Sequence, residues 1–423
     1  MHTESLNHPA FYFVLLSGMF LAGCSLTGTE KAGILIVSEP AGIARDLEYV
    51  EVDIPVKRLP EKNEAFFIDD NNGNMTKGQT LHIRQGPLSG YVVRCLFPVR
   101  IKAGQTRRYV VTLAKNRATV PGLKVTGAGM ALVIENRYYI AELTDEKATA
   151  ESGLGAGQLA TLTLKRFKQQ KLQRTGISMH WAPNFKKNGM TYKTIGHIRA
   201  FDSVAVSGGP YRVRVYRSGR VKGYEEIGLE GEYRFYAGLP YFIFSSTMVM
   251  GEDVVLTMLR NDEMTMDSLF THAMFPLPDG KVKIVPLYDK PPRTPHYSVK
   301  ELRKTPIAAN TNWFCFFNDS LKYGFGSIRL QYDYTNDKGG QSPMLNPETR
   351  ITYSRNGGRY WDRRFVFTRE DSLLVPRGSR YFEQNAYLIF NTETENPAHE
   401  ITEYFMRLSH PLTVNYEQQG SNE

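Results

Sequence analysis

Two places in the sequence carry a histidine in a context that suits chemistry on a sugar. His180 is followed by Trp181, which pairs a general base with a flat apolar ring that can stack on a sugar face. His272 lies in an apolar segment that comes after a charged run containing Asn261. These residues predict acid–base chemistry on a carbohydrate. A solvated strand end at His180 and a satisfied core histidine at His272 are the structural alternatives.

Arginine and aromatic residues form a second group of candidates. Tyr360, Trp361 and Arg363 follow a Gly-Gly turn, which would present them at the mouth of a loop. Sugar rings stack on aromatic faces, and a guanidinium binds a carboxylate through two parallel hydrogen bonds. Arg234 and Arg199 each share a strand face with another polar residue two positions away. Ordinary solvated strand faces would explain the same patterns.

Neighbouring carboxylates offer a different chemistry, the hydrolysis of a glycosidic bond. The sequence contains two such pairs, Glu225 with Glu226 and Asp262 with Glu263. Adjacent residues on a strand point to opposite faces, so neither pair alone forms the couple that hydrolysis requires. Hydrolysis therefore stays open as an alternative.

The elements that must position these residues are predicted to be β-strands. Apolar and polar residues alternate with a period of two in segments such as 50–56 and 211–216, and Gly, Pro, Asn and Asp clusters separate the segments. Only residues 262–275 offer the pattern of a short helix. Many short strands joined by turns predict an all-β chain of the sandwich or barrel class.

Several segments resemble the exo-acting rhamnogalacturonan lyase-like proteins. The opening segment 38–56 resembles the start of their small β-barrel domain. Segments 133–139, 209–214 and 229–240 are similar to their galactose-mutarotase-like supersandwich. The resemblance covers residues 33–275 in pattern. Lyases, epimerases, hydrolases and non-catalytic glycan proteins all use such folds.

The resemblance and a boundary near residues 115–130 imply two domains. Residues 24–125 are predicted to form a small N-terminal β-barrel or sandwich domain. Residues 126–423 are predicted to form a large antiparallel β-supersandwich of the galactose-mutarotase type. Residues 289–306, which are rich in proline and basic side chains, are predicted to form a long surface loop.

The resemblance and the formal net charge of +9 together predict an acidic partner, a polysaccharide or oligosaccharide that contains uronic acid. A carbon–oxygen lyase would cleave it by β-elimination, which requires a cation for the carboxylate, a base for the C5 proton and an acid for the leaving oxygen. The predicted catalytic residues are His272, His180, Tyr360 and Arg234. The predicted substrate-binding residues are Trp181, Trp361, Arg363, Arg199 and Asn261. The alternatives are a non-catalytic glycan-binding surface lipoprotein, a glycoside hydrolase on the same fold and a mutarotase-type isomerase.

Several other classes lose support because their motifs are missing. The sequence has no GxSxG, Walker loop, GxGxxG in a βαβ context or HExxH, which argues against serine hydrolases, kinases, dinucleotide enzymes and zincins. Basic residues are scattered rather than blocked, so no nucleic-acid partner is predicted. No cysteine–histidine cluster suggests a metal, and Cys95 and Cys315 are predicted to be buried free thiols. No cofactor is predicted, although a structural calcium ion is left open.

The N-terminus predicts export and a membrane anchor. Residues 11–22 are apolar but too few to span a bilayer, which takes roughly 20. Residues 21–24, Leu-Ala-Gly-Cys, resemble a bacterial lipobox, although the preceding segment lacks the usual Lys or Arg. We therefore expect a lipoprotein signal peptide over residues 1–23, lipidation of Cys24 and attachment to a membrane through that lipid. The predicted location is the bacterial outer membrane or periplasm.

Overall fold

The structure is a computed structural model that describes residues 30–418, apart from residues 71–72, 87–89, 118–120, 146–154, 156, 289–306 and 354–357. The predicted signal peptide, Cys24 and the predicted loop over 289–306 lie outside the described residues. Among the described residues, no helix is both long and apolar enough to cross a membrane.

The first part of the chain is a small two-sheet unit. Its strands are β1 (Glu30–Ser38), β2 (Arg45–Val56), β3 (Glu64–Asp69), β4 (Met75–Lys77), β5 (Gln79–Gln85), β6 (Tyr91–Ile101) and β7 (Thr106–Lys115). Strands β2, β6 and β5 form one sheet in that order, and β1, β7, β3 and β4 lie in the other. Leu35, Val52, Cys95 and Phe97 are buried between the sheets, as the alternation of apolar residues predicts.

Strands of three further sheets follow. They are β8 (Lys124–Ala128), β9 (Ala131–Glu135), β10 (Tyr139–Leu143), β11 (Leu159–Leu164), β12 (Gln170–Gln173), β13 (Asn184–Lys187), β14 (Lys193–Thr194), β15 (Phe201–Ser207), β16 (Arg212–Val221), β17 (Tyr224–Tyr236), β18 (Tyr241–Met250), β19 (Val254–Met266), β20 (His272–Pro276), β21 (Val282–Pro286), β22 (Trp313–Asn318), β23 (Tyr323–Asp333), β24 (Glu348–Tyr353), β25 (Arg359–Phe367), β26 (Leu373–Val375) and β27 (Arg380–Asn391). A 3₁₀ turn (Ile195–His197) joins β14 to β15.

These strands form antiparallel sheets that share one core. The longest sheet has the order β15-β16-β17-β18-β27-β23-β22-β20-β21. A second sheet has the order β14-β13-β19-β25-β24 with β26 beside β19, and a third has the order β12-β11-β10-β9-β8. Leu162, Tyr233, Phe244 and Trp361 come from all three sheets and pack in one buried cluster. The predicted all-β fold with packed antiparallel sheets is confirmed.

The end of the chain contains a helix and a last strand. The helix α1 (His399–Ser409) places Ile401 in a buried cluster with Cys315 and Leu388 of the longest sheet. The strand β28 (Thr413–Gln418) then pairs with β1, so that Val414 lies opposite Val37. Residues that the sequence-based division assigns to the second domain therefore complete a sheet of the first unit.

Two local predictions have clear outcomes. Residues 262–275, which we expected to form a short helix, instead extend β19 and begin β20, because residues 261–266 are buried and residues 264–266 pair with β25. Pairing across the sheet overrides the local helical pattern. Cys95 and Cys315 are buried free thiols, as predicted.

Candidate functional site

A pocket of about 720 Å³ opens beside β13, β19 and β25, and its volume suits a small ligand. Aromatic side chains form part of its wall, and charged groups line the rest. The aromatic residues are Trp181, Tyr192, Tyr360 and Phe367, and the charged residues are Arg174, Lys186, Arg260, Glu263 and Arg369. The lining therefore combines apolar ring faces with an excess of positive charge.

A bulge in β19 directs Glu263 into this pocket. The register between β19 and β25 shifts between Asn261 and Met264, and Asp262 has a φ of 51°. Aspartate tolerates this left-handed conformation better than most residues. Asp262 bonds to groups in the core, whereas Glu263 lines the pocket. The carbonyl oxygen of Glu263 also accepts a hydrogen bond of 3.1 Å from the backbone N–H of Trp181, which links the bulge to the chain segment that carries the indole.

The carboxylate of Glu263 is held by neutral and cationic donors. The Asn184 amide donates to its Oε2, the Tyr192 hydroxyl lies 3.5 Å from the same oxygen, and Nη1 of Arg260 lies 3.4 Å from it. Burial raises the pKa of Glu263, and the charge of Asp362 adds to the rise while Arg260 opposes it. A carboxylate with a raised pKa is a better proton acceptor than an ordinary glutamate.

Asp362 lies behind Glu263 and serves a different purpose. Its side chain is fully buried, and Arg364 donates to both carboxylate oxygens at 2.7 and 3.1 Å. Arg260 lies 2.9 Å from Asp362, so one guanidinium links the two acids. Because Asp362 has no exposed surface, it orients Arg260 and cannot meet a ligand in the pocket. The two acids therefore do not form the couple of accessible carboxylates that glycoside hydrolysis uses.

The aromatic wall presents protonated phenols and a cation. The rings of Trp181 and Tyr192 are 5.8 Å apart, and the Arg174 guanidinium lies 5.3 Å from the Trp181 ring. Burial raises the pKa of both Tyr192 and Tyr360, so both hydroxyls keep their protons at neutral pH. The Arg174 guanidinium forms no hydrogen bond or ion pair with any described residue, and it lines the pocket. It can bind an anionic group of a ligand.

A buried polar network lies on the core side of the bulge. Asp262 accepts hydrogen bonds from Ser327 (2.7 Å), Tyr387 (2.9 Å) and Trp361 (3.3 Å), and Arg363 lies 3.7 Å away. Burial raises the pKa of Asp262 to about 6. These contacts fix the residue whose left-handed conformation turns Glu263 toward the pocket.

His180 belongs to the same network and is fully buried. It shares hydrogen bonds with the hydroxyls of Tyr233 (2.5 Å) and Tyr387 (3.3 Å). Burial, together with the positive charge of Arg217, lowers the pKa of His180 to about 3. The imidazole is therefore neutral at physiological pH and has no access to the pocket.

The structure brings only part of the predicted site together. Trp181, which was predicted to bind the substrate, and Tyr360, which was predicted to be catalytic, both line the pocket. The core instead holds His180, Asn261, Trp361 and Arg363, which are at most 1% exposed. A fully buried indole or guanidinium has no face to offer a sugar, because β25 is an inner strand between β19 and β24 rather than a loop mouth.

The remaining predicted residues lie elsewhere. Arg234 on β17 pairs with Glu232 at 3.2 Å, and Arg199 is exposed just after the 3₁₀ turn. His272 on β20 stacks on Phe317, with ring centroids 5.3 Å apart, and does not line the pocket. Sequence reasoning missed Arg174, Arg260 and Tyr192, and it considered Glu263 only as half of an acidic pair.

No metal site emerges from the part of the chain that the structure describes. Within it, no group of three or more His, Cys, Asp or Glu side chains is placed to hold a metal ion.

Comparison with known proteins identifies the fold but no family. No protein-family model matches the chain, and no curated protein matches its sequence. Among solved structures, the chain is similar to a glycosyl hydrolase family 38 protein from Enterococcus faecalis, with 10% identity and a TM-score of 0.53 over 92% of this chain and 47% of that one. An α-mannosidase from Enterococcus faecalis V583 matches at 10% identity and a TM-score of 0.53, over 92% of this chain and 46% of that one.

These two matches define the class of fold, since identities this low show the fold alone. The chain spans about half the length of either protein. The neighbours also include a galactose mutarotase-like protein from Lactobacillus casei, which matches over 64% of this chain and all of that one. Its identity is 8% and its TM-score is 0.36, a value too low to establish a common fold.

The buried Asp262 predicts a pH-dependent stability. Its pKa of about 6 in the folded chain exceeds the ordinary value of 3.8, so the folded state binds this proton more tightly than the unfolded state. The contribution of Asp262 to the free energy of unfolding should therefore rise as pH falls from 7 toward 4.5. Over that interval, the free energy of unfolding of wild type should increase by on the order of 2 kcal/mol relative to that of Asp262→Asn. Urea unfolding of both proteins at the two pH values measures the difference, and a constant difference would contradict the prediction.

Proposed function

We propose that the pocket binds a uronic-acid-containing glycan and that the protein cleaves it by β-elimination. The observation that carries this proposal is one carboxylate of raised pKa, Glu263, which lines the pocket together with stacking aromatics and with Arg174, a cation that has no ion-pair partner among the described residues. Elimination needs one base beside a bound carboxylate rather than two accessible acids. The side chains that line the pocket therefore suit elimination better than hydrolysis.

Each step of the elimination has a residue whose chemistry fits it. Arg174 binds the uronate carboxylate and neutralises it, which makes the C5 proton easier to remove. Glu263 takes that proton, the bond between C4 and its glycosidic oxygen breaks, and a double bond forms between C4 and C5. Tyr360 keeps its proton at neutral pH because burial raises its pKa, and it donates that proton to the leaving oxygen. Proton exchange with water then returns Glu263 to its ionised form and Tyr360 to its protonated form.

The sugar ring itself would rest on the aromatic wall. Trp181 is partly exposed and supported by Tyr192, which gives a flat surface of the kind that sugar faces contact. Lys186 and Arg369 are exposed at the rim, where they favour the approach of an anionic polymer. The carbohydrate enzymes among the structural neighbours support a carbohydrate ligand, and the rhamnogalacturonan lyase-like segments support a uronate one.

The test is the appearance of an unsaturated product. Wild-type protein should raise the ultraviolet absorbance of at least one polymer in a panel of uronate polysaccharides. Polymers that contain galacturonate are tested first. Neutral polymers serve as the control because they lack the carboxylate. Saturable binding to a uronate polymer without any absorbance change would favour the second candidate, a non-catalytic glycan-binding protein that uses the same pocket.

We also propose that the protein is an exported lipoprotein anchored through Cys24 at the bacterial outer membrane or in the periplasm. Acyl chains on this residue would supply the membrane affinity. Wild type should then partition into the detergent phase of a two-phase extraction. Cys24→Ser should remain unprocessed or enter the aqueous phase. Wild type that stays entirely in the aqueous phase would contradict the proposal.

A further inference from the structure

Arg217 is a charged residue buried inside the sandwich, and no carboxylate among the described residues forms an ion pair with it. It lies on β16 with its side chain on the core face, and its exposed fraction is 0%. The guanidinium lies 5.4 Å from the ring centroid of Tyr233 and 5.9 Å from that of Phe244. Two aromatic faces therefore form its immediate surroundings.

None of the three guanidinium nitrogens of Arg217 has a close hydrogen-bond partner among the described residues, and its interaction with the Tyr233 hydroxyl brings no negative charge. Three other buried arginines of the described residues each have a carboxylate partner. Arg45 pairs with Glu39 at 3.0 Å, Arg329 with Glu383 at 3.2 Å and Arg363 with Glu383 at 3.4 Å. Arg217 has no such partner among the described residues.

The polar groups beside Arg217 cannot supply the missing charge. The Tyr233 hydroxyl accepts the Leu159 N–H at 3.2 Å and shares a hydrogen bond with His180, so it is already engaged. His180 is neutral, because burial and the charge of Arg217 lower its pKa. A guanidinium does not lose its proton in a protein, and an unpaired buried charge is strongly unfavourable.

We propose that a small monovalent anion, chloride in the simplest case, binds beside the Arg217 guanidinium inside the sandwich. The guanidinium would supply both the charge and the N–H donors that face the ion. The core face beside Arg217 is closely packed: a Cβ added at Gly231, directly opposite Arg217, would lie 2.8 Å from Ile195 and 3.4 Å from Phe244. Apolar walls this close exclude a bulky or strongly hydrated anion.

The proposal predicts a chloride-specific stabilisation, because a ligand that binds only the folded state raises the melting temperature by mass action. The full-length wild-type protein is unfolded by heat in sodium chloride and in sodium methanesulfonate at equal ionic strength. Chloride should raise the melting temperature saturably, by about 3 °C at high occupancy, relative to methanesulfonate.

Variants on the same strand give the control. Arg217→Met removes the charge at similar length, and its melting temperature should be the same in both salts. Arg220→Met alters an exposed arginine of β16 that pairs with Asp202 at 3.2 Å, and it should keep the full chloride response. Equal responses of wild type and Arg217→Met would overturn the proposal.

Diffraction provides a second measurement that does not depend on a folded variant. Wild-type crystals grown in sodium bromide should show an anomalous peak within hydrogen-bond distance of the Arg217 guanidinium. Water density without an anomalous signal at that position would overturn the proposal, and so would the absence of any chloride-specific shift in wild type.

Discussion

Glu263→Gln is expected to lower the rate of uronate elimination by about 100-fold or more, because the amide cannot accept the C5 proton. The side chain keeps its size and its place beside Asn184 and Tyr192. Arg260 also keeps its ion pair with Asp362, so the melting temperature should stay within a few degrees of wild type. The initial rate of the absorbance increase measures turnover, and isothermal titration with a short uronate oligosaccharide measures binding.

His272→Ala is the informative control for that experiment, since His272 was the base that the sequence favoured. It stacks on Phe317 of β22 and does not line the pocket. Its replacement should change turnover by no more than about twofold, well below the effect of losing a general base. A large loss in His272→Ala with an active Glu263→Gln would return the role of base to the histidine.

The strands could be predicted from the sequence where one face of a sheet is more buried than the other. Residues 50–56 lie in β2 and residues 212–216 lie in β16, where buried side chains alternate with less buried ones. The alternation of polar and apolar residues does not identify a strand that is buried on both faces, because such a strand has no polar side. Residues 262–266 of β19 are all buried, and they belong to the segment 262–275 that was wrongly predicted to be helical.

The helix α1 was missed for the opposite reason. It is short, and only a narrow apolar stripe faces the sheet. Ile401 is fully buried, while Tyr404, Phe405 and Leu408 are partly buried against the same cluster. The spacing of these residues at three and four positions is the helical signal that the sequence contains.

The pocket depends on contacts between residues that are distant in the sequence. Trp181 and Tyr360 could be proposed from their residue types, because exposed aromatic groups near arginines suit sugars. The link between Glu263 and Asp362 through Arg260 depends on the register of β19 with β25 and on a bulge. Local periodicity does not encode a register shift, so this part of the site could not be predicted.

Arg363→Met is expected to cause the largest loss of stability, about 3–5 kcal/mol at pH 7. The guanidinium is 1% exposed, and it lies between Asp262 at 3.7 Å and Glu383 at 3.4 Å. It also donates to the carbonyl oxygens of Ala309 and Thr311. Methionine fills much of the volume but leaves two buried carboxylates without this cation. Urea denaturation of wild type and variant measures the difference in free energy of unfolding.

The surface pair between Arg380 and Asp333 provides the matched control. Both side chains are more than a third exposed, so Arg380→Met should cost less than about 1 kcal/mol. The effect of Arg363→Met should also diminish at pH 5, because Asp262, whose pKa is about 6 beside the arginine, becomes neutral there. A loss that is as small as that of Arg380→Met, or equally large at both pH values, would show that Arg363 does not hold these carboxylates in their charged form.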